Sequence, residues 1–289
     1  LEFITLDDEL SAAGIRVNDP ANPGRMYLCG KGIAPFREKS ALASRVATEI
    51  RLGNDERADT MVAKLADWFL TCGLDTGLTA EVIAHEVATA AGVPFEWVSL
   101  QERHVARAFQ KALFQSPLTE RASLLEAAYG APSGVDLDDA VALQGEIRSR
   151  LIKVGTPGFV PEVPLGFADA YAYVLEMGGI PTYPTLADGV SPVCPFEEPA
   201  TELAAKLLER GIHAAELIPI RNTSVCVDAY VKAFTDAGII VMGGTEHNTA
   251  DRIPIEVACV DGPVSDIARH AFWEATCVVA AHQHLVAQG

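Results

Sequence analysis

No apolar run in this chain approaches the roughly 20 residues needed to cross a bilayer. The first ten residues, LEFITLDDEL, carry no basic segment ahead of an apolar core, so a secretory signal is not expected and the sequence reads as cytoplasmic. The chain opens on Leu rather than Met, which makes a processed or shortened protein the expectation. Bases are scarce: 22 Lys and Arg stand against 39 Asp and Glu, for a formal charge of -17. Such a surface repels phosphate backbones and anionic membranes, which sets aside non-specific nucleic-acid or membrane binding while leaving room for a local basic pocket. None of the six cysteines (29, 72, 194, 226, 259 and 277) stands at C-x-x-C spacing from another, and several lie in apolar stretches. Reduced, buried thiols are expected, not a structural zinc site. Internal repeats, low-complexity tracts and long linkers are missing too.

What remains is a globular composition, 49% hydrophobic and 21% charged over 289 residues, enough for one large domain or a domain with an insertion. Residues 40–70 place Val46, Ile50, Met61, Leu65, Trp68 and Phe69 at helical spacing. Thr79 predicts an N-cap for a helix over 80–91 stopped by Gly92, and Ser99 with Glu102 reads as a capping box for the next. Residues 76–150 read as helix and turn throughout. After Lys153 the pattern changes. Helices at 167–177, 198–209 and 228–237 each end near glycine and lead into a short apolar strand at 180–183, 214–218 or 239–242. That alternation predicts a parallel α/β fold, either a (β/α) barrel or a doubly wound sheet.

In such folds the carboxyl ends of the strands gather ligand-binding and catalytic groups. The strand over 239–242 runs into Gly243 and Gly244, then delivers Glu246, His247 and Asn248. Tyr27 lies on the strand over 26–30, Tyr183 ends the strand over 180–183, and Arg221 with Asn222 follows Ile218-Pro-Ile220. A guanidinium there suits phosphate or carboxylate, whose two oxygens its fork can bind together. Arg103 and Arg107 stand one turn apart beside His104 and could grip a phosphate or pair with neighbouring acids. Lys31, Arg37 and Lys39 follow Gly30 and could add positive field to the site, but read rather as a solvated basic run.

Several segments carry a family resemblance. Gly178-Gly-Ile-Pro-Thr-Tyr-Pro184 is similar to the "GGIPVLAHP" strand of the polymerase and histidinol phosphatase (PHP) family, and residues 211–222 to its "GIDGIEVYN" strand. Gly244-Thr-Glu-His-Asn248 stands where that family has "GSDFH", and residues 102–108 resemble the "RPHIARAL" helix of its phosphoesterase branch. Residues 1–5 and 26–30 resemble its "GIE…HLLG" pair. The resemblance implies a distorted (β/α) TIM-like barrel formed by 1–75 and 151–289, with a helical insertion at 76–150. It also implies metal-dependent hydrolysis of a phosphate ester of a small molecule or nucleotide, using Mn, Zn or Fe. Glu2, Glu246 and His247 become metal ligands, Glu246, His247 and Arg221 catalytic groups, and Tyr27, Tyr183, Asn222, Asn248, Arg103 and His104 substrate contacts. The chain departs from the pattern in lacking the N-terminal "HxH" and "TDH" ligand motifs, and tyrosines 27 and 183 replace ligand histidines. Tyrosine is a poorer ligand than imidazole for these metals. The alternative expectation is a non-catalytic module for an anionic or sugar-like ligand; self-association into a homo-oligomer is left open.

Overall fold

The computed structural model describes residues 1–34, 40–245 and 254–288. Contacts divide the chain into two units, Leu1–Ala47 with Pro164–Gly289, and Thr48–Val163.

The first unit begins with strand β1 (Glu2–Leu6), the short helix α1 (Asp8–Ala12) and strand β2 (Arg25–Lys31). Helix α2 (Ala41–Thr71) carries the chain into the second unit. There follow α3 (Ala80–Ala91), α4 (Glu102–Leu113), α5 (Leu118–Tyr129) and α6 (Ala140–Ile147). Back in the first unit come β3 (Leu165–Gly166), α7 (Phe167–Glu176), β4 (Ile180–Thr185), α8 (Ala200–Glu209), β5 (Ala214–Leu217), α9 (Ser224–Asp236) and β6 (Ile240–Gly243). A two-stranded hairpin of β7 (Ala258–Cys259) and β8 (Gly262–Pro263) precedes helix α10 (Asp266–Gln288).

Six strands form one sheet in the order β3-β1-β2-β4-β5-β6. Strand β2 runs antiparallel to both neighbours and every other pairing is parallel. Consequently the carboxyl ends of β1, β3, β4, β5 and β6 all reach one edge, where β2 contributes its amino end. The fold is α/β, and among the described residues β3 and β6 are its outer strands. Glycines 178, 211 and 238 lead from helix to strand before β4, β5 and β6 with φ of 72°, 72° and 78°. This left-handed conformation, which ends a helix at little cost only for glycine, makes the helix-to-strand alternation visible in sequence.

One face of the sheet is apolar and helix-covered. Phe3, Met26, Leu28, Tyr183, Ala215, Leu217 and Val241 alternate onto it and are all buried. Helix α7 packs over β1, β2 and β4, while α9 and α10 pack on β6. Phe3 meets Tyr173 edge to face at 5.6 Å. The fit is close: a Cβ at Gly243 would come within 2.8 Å of the Phe272 ring.

The helical unit has a core of its own. Met61, Leu65 and Phe69 of α2 meet Ile83, Val105, Phe109, Leu113, Leu125, Leu143 and Ile147, each at most 1% exposed. Burying such side chains contributes roughly 1.5–3 kcal/mol apiece. Thr79 caps α3 as its sequence position suggests, its hydroxyl accepting from Val82 N at 3.2 Å. The cap of α4 differs from the Ser99–Glu102 reading. Gln101 is the N-cap, and His104 Nδ1 closes the box by accepting from Gln101 N at 3.1 Å. Glu102 is spent elsewhere, taking Arg57, Arg148 and Lys153 at 3.0, 3.0 and 2.6 Å.

Candidate functional site

Strand pleating turns alternate residues to the second face of the sheet, and register sets them in rows. Glu2 stands opposite Cys29, Cys29 opposite Thr182, Thr182 beside Ala214 and Ala214 beside Ile240. The next row toward the carboxyl edge holds Ile4, Tyr27, Pro184, Glu216 and Met242. Asn18 keys that row between β2 and β4. Its amide donates to Tyr27 O at 3.1 Å and Pro184 O at 2.8 Å, and its oxygen accepts from Tyr27 N at 2.7 Å. Unlike the helix-covered face, this one is half-exposed and mixes acids, bases and a thiol among apolar neighbours.

Its charged centre is an ion pair across β4. Lys31 Nζ donates to both carboxylate oxygens of Glu216, at 2.9 and 2.8 Å. The carboxylate beds against a backbone with no side chain, since a Cβ on Gly244 would lie 2.9 Å from Glu216 Oε1. Close by, the Cys29 thiol is pushed up to about 12, chiefly by burial, so it is not a thiolate at neutral pH.

A second carboxyl organises the strand end from the covered side. Glu197 is fully buried; its Oε1 accepts from Tyr183 Oη at 2.9 Å and Leu186 N at 3.1 Å, and its Oε2 accepts from Ala187 N at 2.7 Å. Tyr230 Oη donates to the Glu197 carbonyl at 2.9 Å. Burial raises the carboxyl to about 7, although these donors pull the other way. The turn so held contains a strained residue: buried Ala187 has φ of 47°, a conformation costly for any residue with a Cβ. One residue later, Asp188 fixes the N-cap of α9, Thr223, by accepting from its N and Oγ1, while the Thr223 hydroxyl accepts from Cys226 N. Burial opposes its charge, yet hydrogen bonds from Thr223 and Asn222 hold its carboxyl below the usual range.

The structure separates residues that the sequence reading had gathered. Tyr183 is 0% exposed, turned to the helix-covered face and bonded to Glu197, so it does not share a cavity with Tyr27. Period-2 alternation in Ile180-Pro-Thr-Tyr-Pro-Thr185 leaves open which face is covered; only tertiary packing decides it. Asn222 is a buried strut whose amide donates to Leu186 O at 2.7 Å and Asp188 Oδ1 at 2.9 Å; its own oxygen has no partner among the described residues. Arg221 ends a short turn over Pro219–Arg221 and is exposed. Arg103 and His104 belong to the helical unit. His104 is held below its usual range by burial, then by the charges of Arg103 and Arg107. Glu246, His247 and Asn248 lie outside the described residues.

The sequence names Lys31 without its partner and does not single out Glu216 or Glu197. Lys31 is not a solvated cation; it reaches over β4 to Glu216. Glu216 did leave a signal, as the lone charge in the apolar strand Ala214-Ala-Glu-Leu217. Glu197 left none, because it sits in an irregular, proline-rich loop.

The described donors do not fit a divalent metal. No group of three or more His, Cys, Asp or Glu among them could hold one. Both oxygens of Glu216 are engaged by an ammonium, the Cys29 thiol is protonated at neutral pH, and Glu2 lies one row below Glu216. No helix among the described residues is long and apolar enough to cross a membrane.

No protein-family model matches the chain, and neither does any curated protein. Among solved structures, the chain is similar in fold to a provisionally named metal-dependent phosphoesterase of Bifidobacterium adolescentis. The match has a TM-score of 0.50 and 13% identity, and covers 95% of this chain and 74% of the other.

Proposed function

We propose that this chain is a phosphoesterase-like hydrolase of the PHP type, acting on a phosphate ester of a small molecule or nucleotide. In this reading the sheet is the frame of a distorted barrel, its half-exposed face is the interior, and the reaction takes place at the carboxyl edge. The observation that carries it is the extent of the fold likeness, which runs over 95% of the chain to a protein named as a metal-dependent phosphoesterase. The half-exposed face adds support, because it is the polar one and opens at the edge where parallel strands end. Glu246 and His247, one and two residues past Thr245, are the groups we assign to acid–base work, with Arg221 as the cation for the phosphoryl oxygens. A divalent ion, when bound, would polarise the phosphoryl group and supply hydroxide near neutral pH. Since the described donors do not fit one, its ligands would have to come mainly from the 246–248 segment.

A second reading, a non-catalytic module for an anionic ligand, is favoured by one observation: an ammonium sits on the carboxylate nearest the strand end. The two readings separate in one set of assays. Purified protein is analysed for bound metal, then offered p-nitrophenyl phosphate and bis(p-nitrophenyl) phosphate with and without Mn2+, Zn2+ or Fe2+. Metal-dependent turnover supports the hydrolase. No turnover with any metal, together with a melting temperature raised by inorganic phosphate, replaces it with the binding module.

A further inference from the structure

We propose that the Lys31 ammonium is a tethered cation that takes the place of a metal ion at Glu216 and offers its remaining N–H to an anionic ligand. This rests on the reading of the half-exposed face as the ligand side of the sheet. Three features of the pair argue for it. Lys31 spends two of its three N–H groups on the two oxygens of one carboxylate, at 2.9 and 2.8 Å, the bidentate arrangement a metal ion would otherwise take. The two side chains are 32% and 15% exposed, so the pair is neither sealed in the core nor out in bulk solvent, and a ligand on this face can reach it. Gly244 lies against the carboxylate with no Cβ, and one added there would come within 2.9 Å of Glu216 Oε1, so the backbone itself closes on the pair.

The chemistry follows from charge and reach. A carboxylate that holds an ammonium on both oxygens has no free lone pair in the direction a divalent ion would approach, and the like charge of Lys31 repels that ion. Conversely, the ammonium keeps one donor uncommitted among the described residues, directed to a face where an oxyanion such as phosphate can accept it. The neighbouring Cys29 neither competes for a metal nor repels an anion, because its thiol stays protonated. Lysine also differs here from a bound ion in a functional respect: its charge cannot be removed by a chelator.

The test uses the full chain, titrated calorimetrically with Mn2+ and, separately, with inorganic phosphate. In Lys31→Met, which keeps the aliphatic stem and deletes the charge, Mn2+ affinity rises about tenfold or more and phosphate affinity falls by a similar factor. The double variant Lys31→Met, Glu216→Gln loses the gain in Mn2+ affinity, which locates the new site at Glu216. Glu216→Gln alone keeps one acceptor for Lys31 and serves if Lys31→Met does not fold: with the ammonium no longer neutralised, phosphate affinity rises. Turnover of phosphate esters by the wild type is a separate readout. A protein that hydrolyses none of them yet shows these shifts loses the hydrolase reading and keeps the role of Lys31. Mn2+ affinity unchanged by Lys31→Met, or phosphate affinity unchanged by Glu216→Gln, overturns the inference.

Discussion

Replacing Glu197 by Gln tests whether a buried carboxyl without a cationic partner governs the end of β4. Its two oxygens serve three donors, Tyr183 Oη, Leu186 N and Ala187 N, at 2.9, 3.1 and 2.7 Å. An amide has only one accepting oxygen, so in either orientation its NH2 faces a backbone N–H. One buried donor is left unsatisfied, at a cost of about 1–3 kcal/mol. The pH dependence is more diagnostic than the mean. The carboxyl titrates near 4.5 when unfolded and at about 7 when folded, so between those values the native state holds a proton that the unfolded chain has released. Wild-type stability therefore falls as pH rises through that window, by on the order of 3 kcal/mol, and levels off above 7. Gln does not titrate, so the deficit of Glu197→Gln is largest near pH 4.5 and shrinks toward pH 7. His104, lowered in the folded state, contributes the opposite slope up to its usual 6.5, but equally in both proteins, and cancels in the difference. Denaturant titrations at half-unit pH steps measure that difference, with hydrogen exchange at the Leu186 and Ala187 amides as a local check. A difference that stays constant from pH 4.5 to 7 would refute the argument, because Glu197 would then be titrating alike in both states.

Further outcomes follow from the same geometry. Tyr183→Phe removes a donor that lowers the Glu197 carboxyl, so the upper end of the pH window moves above 7, visible in the same titrations. Ala187→Gly stays within about 1 kcal/mol of wild type in melting experiments, since relief at φ of 47° offsets the lost methyl burial and the added chain entropy; Ala187→Val costs more than about 2 kcal/mol. Asn18→Ala strands a buried N–H and two carbonyls between β2 and β4 and lowers stability by about 3 kcal/mol in urea denaturation. Glu102→Gln leaves Arg57, Arg148 and Lys153 without their shared carboxylate. Because burial is outweighed there by those three donors and the carboxyl is lowered, wild-type Glu102 stabilises above its ordinary 4.5 and loses that contribution as pH falls through the lower folded value; the Gln variant does not show this loss on acid titration.

Much of the secondary structure could be read from the sequence because its signals are local. Thr79 and Gly92 bracket α3, and glycines 178, 211 and 238 mark the passages into β4, β5 and β6. Strand direction carries no such mark. Nothing in residues 25–31 tells that β2 runs against its neighbours, because alternation reads the same in both directions. The face of each strand is also decided by tertiary packing, which is why Tyr183 could be expected beside Tyr27 while its ring lies on the opposite side. Asn222, following an apolar strand, reads as a site residue, yet its side chain fastens the turn through Leu186 O and Asp188, and Asp188 in turn holds Thr223, the N-cap of α9. The same residue types serve ligands and loops, and only their partners distinguish the two.

Those partners set the two carboxylates at the strand ends apart. Glu216 and Glu197 approach the ends of β4 and β5 from opposite faces of the sheet. Glu216 is answered by a full positive charge on the half-exposed face, so it forms an ion pair that a ligand can meet. Glu197 is answered only by neutral N–H and O–H donors in a sealed core, which leaves its carboxyl protonatable near neutral pH and out of any ligand's reach. A charge that must act on a ligand needs exposure and a counter-ion to hold it in place; one that fastens a strained turn needs directed donors and the exclusion of water. On that ground Lys31 and Glu216 are the pair proposed to meet a ligand, whereas Glu197 fixes the turn at Ala187, next to Asp188 and its hold on the start of α9.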